Sequence, residues 1–340
     1  MDIVFSRSNL GCILAALMGL QLGSFLNVVV WRLPKMMQRQ WEAECAQLQG
    51  TSSEPAEAFN LSTPGSHCPA CKTALRAADL IPVLSYLWLK GKCGHCGVAV
   101  SVRYPLVELA VALLWGFCAW RWGFSVEALA WAGFGSVLVT LALIDADTML
   151  LPDSLTLPLL WAGILCASFG VIQLPLLQSV WGAAAGYGVL WTVQTVFKLI
   201  TGKQGMGEGD YKLLAALGAW LGWMVLPMVV LIASLLGVVV ALGMRWRGSL
   251  KAGEPLPFGP YLVVAGLVCA AVDLHSGLYS FYTSCCYEPF APTPCRRSLH
   301  VHARWHLQGA FLQSHRSAFR QSAQRQSVVG GHGIARQTPN

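Results

Sequence analysis

The chain has 340 residues, 55% of them hydrophobic and only 11% charged, with a mean hydropathy of +0.54. Soluble globular proteins carry roughly 25% charged residues, so the composition excludes an ordinary soluble fold. The formal net charge of +7 is uneven, because seven of the 23 Lys and Arg lie beyond Cys295, where there is no acidic residue. The other basic residues flank apolar runs and form no basic–aromatic array, which points to membrane lipid and argues against a nucleic-acid partner.

The first apolar run, Leu10–Val30, is too long for the h-region of a signal peptide. It lacks a convincing cleavage site and leads into Arg32, Lys35 and Arg39, so residues 1–31 read as a retained first span. Residues 32–104 form a polar loop segment. Within it, "HCPAC" supplies Cys68 and Cys71, and "KCGHC" supplies Cys93 and Cys96, with 21 residues between the pairs. Four thiolates in two short turns fit a tetrahedral structural Zn2+ site with no open position. The alternative is disulfides or unrelated thiols, and a cytoplasmic loop disfavours disulfides. Gly94 and Gly97 are expected to help the two turns close. His67 and His95 are not needed as ligands, and Cys12, Cys118, Cys166 and Cys269 read as packing residues in apolar spans.

Seven more apolar runs follow: Pro105–Trp122, Ala128–Ile144, Leu155–Ile172, Val180–Ile200, Tyr211–Trp223, Met224–Met244 and Pro257–Leu274. They are continuously apolar rather than alternating, so they read as helices, not barrel strands. The sixth and seventh spans of the whole set are poorly separated. The stripe of Gly182, Ala183–Ala185 and Gly186 reads as a close helix contact rather than a ligand loop. The fold class expected is an all-α polytopic membrane protein, with about eight transmembrane helices and a small cytoplasmic zinc-ribbon-like loop domain. Residues 105–275 would form the membrane core. Residues 276–340, basic and rich in Ser, His and Gln, read as a disordered tail. Basic residues crowd the loop segment and the loops near Lys198–Lys212 and Arg245–Lys251, whereas the opposite loops offer only Arg121. The positive-inside rule therefore puts those loops in the cytoplasm and the N-terminus outside.

Acidic residues at membrane spans are expensive and ask for a reason. "LALIDADTMLLPD" carries Asp145, Asp147 and Asp153; "GMGEGD" carries Glu208 and Asp210. Both stretches end on the same side, so an upstream Asp can meet Asp210. Two carboxyl groups in a partly dry site share one proton, and the ionised partner can activate water. Plainer roles compete: Asp153 or Asp210 as helix N-caps, and Glu208 as a solvated interfacial charge. Gly207 and Gly209 are expected to let the backbone turn tightly and present Asp210.

These residues resemble the bacterial type IV prepilin peptidases, the leader peptidase/N-methyltransferases of pilus and type II secretion systems. The likeness runs from about Gly19 to Tyr261. It rests on "GSFLNVVVWRLPKMM", the two C-x-x-C knuckles, "RYPLVEL", "IDADTMLLPD", "GMGEGD" and "PFGPYL", in that order. It implies a G-x-G-D membrane aspartyl protease with catalytic Asp145 and Asp210, Asp147 being the other candidate for the first partner. Asp147, Gly207 and Gly209 would support them. The substrates implied are prepilins and pseudopilins, cut at the cytoplasmic face of the inner membrane between a basic leader and an apolar helix. The resemblance also implies methylation of the new N-terminus from S-adenosyl-L-methionine, with Gly91 matching a glycine linked to that step. The residues themselves are silent on this cofactor, since no G-x-G-x-x-G loop is present. Gly91 reads equally as a turn residue. Two rival readings are a presenilin-like protease with other substrates and a non-enzymatic transporter or secretion scaffold. The knuckles and the GSFLN segment argue against the first. The long basic tail departs from the family pattern.

Overall fold

A computed structural model describes residues 9–50, 59–203, 205–248 and 256–272; the tail at 276–340 lies outside them. Among the described residues the longer helices are α1 (Asn9–Leu48), α3 (Arg103–Trp122), α4 (Val126–Thr148), α5 (Asp153–Ser168), α6 (Leu176–Thr201), α7 (Glu208–Leu221), α8 (Leu226–Trp246) and α9 (Gly259–Ala271). A short helix, α2 (Leu84–Trp88), and a 3-10 turn at Ala77–Leu80 lie in the loop segment. Of these helices α1, α3, α4 and α8 are long and apolar enough to cross a membrane, and α5 and α9 are shorter apolar helices. No strand occurs among the described residues, only isolated bridges at His67–Ala74 and Lys92–Ala99. The all-helical class is as expected, and the longer helices fall on the apolar runs of the sequence.

The boundaries differ for local reasons. α1 does not stop at Val30 but runs to Leu48 with Pro34 inside it, so position 31 lies within a helix. Gln38 bonds Glu42 and Gln40 bonds Glu44, each at 3.0 Å, side-chain pairs at i, i+4 that support a helix beyond any apolar run. α4 starts where the Ser125 hydroxyl caps the Ala128 amide at 3.1 Å and continues past Ile144 to Thr148. It ends because Met149 adopts φ 55°, ψ 28°, a left-handed conformation that a bulky residue rarely takes. The unclear join between the sixth and seventh spans is broken by Gly222 at φ 81°, with Pro227 in the first turn of α8.

Small residues set the packing. A Cβ on Gly182 would land on the Gly218 carbonyl oxygen, and one on Gly218 on that of Gly182. A Cβ on Gly186 would lie 2.5 Å from the Leu214 oxygen. α6 and α7 thus touch backbone to backbone, as the small-residue stripe anticipates, through van der Waals contact that membrane helices rely on. The Ser179 hydroxyl donates to the Ala219 carbonyl at 2.7 Å, and the Trp220 indole to the Leu159 carbonyl at 2.8 Å. α7 is consequently enclosed: every residue from Leu213 to Leu221 is buried, with α5, α6 and α9 packed around it. Phe134 stacks on Trp220 at 4.7 Å and Trp122 on Trp131 at 5.6 Å.

α1 and α3 form a second glycine seam. A Cβ on Gly19 would sit 2.8 Å from the Ala112 Cα, and one on Gly23 2.7 Å from the Glu108 Cα. The first of the GSFLN residues is therefore a helix contact. Its asparagine, Asn27, donates to the Tyr104 carbonyl at 3.1 Å.

Candidate active site

Asp145 sits in the last turn of α4 and Asp210 in the first turn of α7. Both are buried, at 4% and 7% exposure, and close enough for the charge of Asp145 to act on Asp210. The Gly259 amide, opening α9, donates to Asp145 Oδ2 at 3.0 Å. Neither carboxylate has a basic partner among the described residues. Burying an unpaired charge costs several kcal/mol, so two such groups in one site need a reason.

Two of the other acidic residues, Asp147 and Asp153, have basic partners. Asp147, two positions on from Asp145, turns away on the helix and receives Arg103 at 2.8 Å, both side chains about two-fifths exposed. Asp153 is the first residue of α5, after Pro152, and makes no cap hydrogen bond. Lys212 instead grips both its oxygens at 2.7 Å. The N-cap of α7 is Gly207, not Asp210. Neither Asp153 nor Asp210 is the N-cap residue itself: the Asp153 side chain is drawn to Lys212, while Asp210 lies within the first turn, its carboxyl group taking the Gly207 amide. Glu208 is exposed and lines a cleft of about 250 Å³ with Trp191, Gln194, Lys198 and Tyr211.

The glycines act differently from the expectation. Gly207 has φ −74°, ψ 149°, ordinary extended backbone open to any residue. A Cβ there would lie 3.8 Å from Asp210 Oδ2, an ordinary van der Waals contact, so neither backbone nor space requires glycine at this position. At Gly209 a Cβ would meet the Leu151 Cβ at 2.6 Å. This close approach brings the start of α7 against the segment that leaves α4. Tight packing, rather than a special turn, is what Gly209 supplies.

In the loop domain the sulfurs of Cys68, Cys71, Cys93 and Cys96 lie within 4.8 Å of one another, with Cys68 and Cys96 3.8 Å apart. A tetrahedron with metal–sulfur distances of about 2.3 Å has edges of about 3.8 Å, so the sulfur set fits one ion. The knuckles repeat one backbone design. The amides of Lys72 and Gly97 return to the carbonyls of Cys68 and Cys93 at 2.9 Å, each from a residue with positive φ, 55° and 73°. Gly97 closes its turn as expected, whereas Gly94 has no positive φ, and a Cβ there would lie 3.4 Å from the Leu89 side chain. Hydrogen bonds with Thr73 hold the Cys71 thiol down at about 6. The Cys96 thiol is drawn down by the Val98 amide, but desolvation and its three neighbouring thiols outweigh this and leave it at about 11. Crowded thiols compete for protons, and a cation at their centre relieves all four. Gly91, at φ 70°, bonds the Tyr86 carbonyl at 2.9 Å. A Cβ there would lie 2.8 Å from the Tyr86 hydroxyl.

With this geometry in view, residues 17–122 match the profile of the "Bacterial Peptidase A24 N-terminal domain", and residues 132–242 match the "Type IV leader peptidase family". Three proteins named prepilin leader peptidase/N-methyltransferase are similar over nearly their whole length. That of Stutzerimonas stutzeri is 50% identical over 269 residues, 78% of this chain and 93% of its own. That of Pseudomonas aeruginosa is 50% identical over 253 residues, 74% of this chain and 87% of its own. That of Neisseria gonorrhoeae is 47% identical over 258 residues, 75% and 88%. The chain belongs to the type IV leader peptidase family. No solved structure matches it.

Three residues of this leader peptidase fold escaped the sequence reading. Arg32 is 4% exposed and donates to the carbonyls of Asn60 at 2.9 Å and Pro64 at 2.6 Å. Glu108 is 8% exposed and accepts from the Val83 amide at 2.8 Å. Gly259 holds Asp145. Arg32 counted only as an orienting charge. Glu108 and Gly259 stood inside quoted motifs without a role, although a carboxylate within an apolar span is itself a signal.

Proposed function

We propose that this chain is a prepilin leader peptidase/N-methyltransferase whose proteolytic centre is the pair Asp145 and Asp210. One observation carries the reading. Of the acidic residues in the two stretches, these two are buried without a basic partner, while Asp147 is matched to Arg103 and Asp153 to Lys212. The pair, sharing one proton, performs general acid–base hydrolysis. The ionised carboxyl group takes a proton from water as that water attacks the scissile carbonyl carbon. The protonated one gives its proton to the carbonyl oxygen. Collapse of the tetrahedral intermediate then expels the amine with the proton first taken from water. Asp147 is a structural neighbour in this scheme, the Gly207 amide bonds the Asp210 carboxyl group, and Gly209 lets the start of α7 approach the segment that leaves α4.

The substrates we propose are prepilins and pseudopilins, cut at the cytoplasmic face of a bacterial inner membrane. The names of the relatives and the loop charges support this. The Cys68, Cys71, Cys93 and Cys96 set would hold structural Zn2+, which when bound cross-links the two knuckles. For S-adenosyl-L-methionine the described residues supply no recognisable cradle, since neither a strand nor a G-x-G-x-x-G turn is present. The methyl-transfer half rests on the relatives' names, with Gly91 kept as the cofactor-side residue on resemblance alone. A Gly91→Ser protein that still methylates would remove it.

The test is to incubate the purified protein with a prepilin, with and without S-adenosyl-L-methionine, and follow leader loss and methylation by mass. Cleavage in both and methylation only with the methyl donor are expected. No cleavage at all would end the reading, and cleavage without methylation would leave the protease half.

A further inference from the structure

The chemistry of the pair depends on where each carboxyl oxygen points: Asp210 takes the Gly207 amide at the start of its own helix, whereas Asp145 is held from a different helix. Asp145 ends α4, where unpaired carbonyls collect partial negative charge, an unfavourable place for a carboxylate. α9 begins against it. Of the donors in the first turn of α9, Pro260 has no N–H, and the amides of Tyr261 and Leu262 return to the Phe258 carbonyl at 3.1 and 3.2 Å. The Gly259 amide alone is left, and it meets Asp145 Oδ2 at 3.0 Å. Gly259 is itself buried. Its missing side chain matters, because a Cβ would lie 2.6 Å from Oδ2 and 3.1 Å from the Asp145 carboxyl carbon. Gly259 has ordinary helical geometry, with no positive φ, so the backbone does not require glycine; the carboxylate does.

We infer that Gly259 is a positioning residue for the proteolytic reaction: its amide anchors Oδ2 of Asp145, and its lack of a Cβ lets the carboxylate stay there, leaving Oδ1 to water and to Asp210. The residue lies beyond position 242, where the family match ends, and 114 residues from the aspartate it serves. The inference rests on the two-aspartate reading above, and its test separates the two.

Gly259→Ala is assayed in the full-length purified protein on a prepilin beside the parent and Gly266→Ala. Position 266 lies on the same helix, and a Cβ there would meet the Leu217 side chain at 2.6 Å, disturbing α9 packing without touching Asp145. Gly259→Ala is expected to lower kcat for cleavage about 100-fold, the scale of an ångström of misplacement, with KM within about threefold of the parent. Gly266→Ala is expected to lower Tm and keep kcat. If Gly259→Ala does not fold, replacing residue 259 by glycolate, which swaps the amide for an ester, removes the N–H without adding a Cβ. A drop of about tenfold in kcat is then expected. Parent kcat in Gly259→Ala, or in the ester when the alanine protein does not fold, overturns the inference. So does an equal kcat loss in Gly259→Ala and Gly266→Ala, which would mark a packing role. A parent that does not cleave overturns the proposed function instead.

Discussion

Two positions along an α-helix turn a side chain by about 200°, and this separates Asp145, buried against α9, from Asp147, which meets Arg103 at the surface. On the proposed two-aspartate reading, Asp145→Asn and Asp210→Asn should each cut leader removal by about 1,000-fold or more, since each would delete a partner in proton transfer. Asp147→Asn and Asp153→Asn should stay within about tenfold, because exposed ion pairs contribute only about 0–1 kcal/mol. A prepilin gel-shift time course distinguishes the two classes. Both aspartate stretches were legible in the sequence as acids where acids are costly. The choice between Asp145 and Asp147 rested there on resemblance, because helix phase means nothing until the facing helix is placed. The clamp from Gly259 was hidden for a related reason: a main-chain amide carries no sequence signature.

At the scale of elements, the apolar runs read correctly as helices because lipid leaves the backbone no other way to pair itself. Their ends did not read as well. The helical hydrogen-bond ladder of α1 continues to Leu48 long after apolar residues stop, and α4 stops at the backbone twist of Met149 rather than at a change of polarity. The Gly182–Gly218 contact was half visible, as a small-residue stripe on α6 with an unnamed partner. Gly218→Leu should push α6 from α7 at a cost of at least 1–3 kcal/mol, roughly the range for overpacked cores. This would appear as a lower Tm in detergent and as weakened cleavage. In the loop domain, the proposed Zn2+ site predicts one ion per chain in the parent and a small fraction of that in Cys68→Ser, measured by elemental analysis. A strong chelator should make all four thiols reactive, because the segment has little apolar core to hold it without the ion.

For the molecule as a whole, the cysteine domain is moored to the helices at two buried points, Arg32 on α1 and Glu108 on α3. Arg32→Met removes donors from two carbonyls and should open the 59–102 segment to protease while leaving metal content unchanged. Limited digestion followed by mass mapping reports this. Retained resistance would show that the metal alone holds the domain in place. The position of α7 has a consequence of another kind. Its 14 residues measure about 21 Å at 1.5 Å each, short of the roughly 30 Å hydrocarbon layer. A lipid-facing helix of that length would thin the bilayer around it or tilt to suit it. α7 is sheathed by protein instead, so its length answers to its neighbours and not to the acyl chains. Thicker or thinner membranes would strain the outer helices first, and the helix that carries Asp210 is insulated from hydrophobic mismatch by the helices around it.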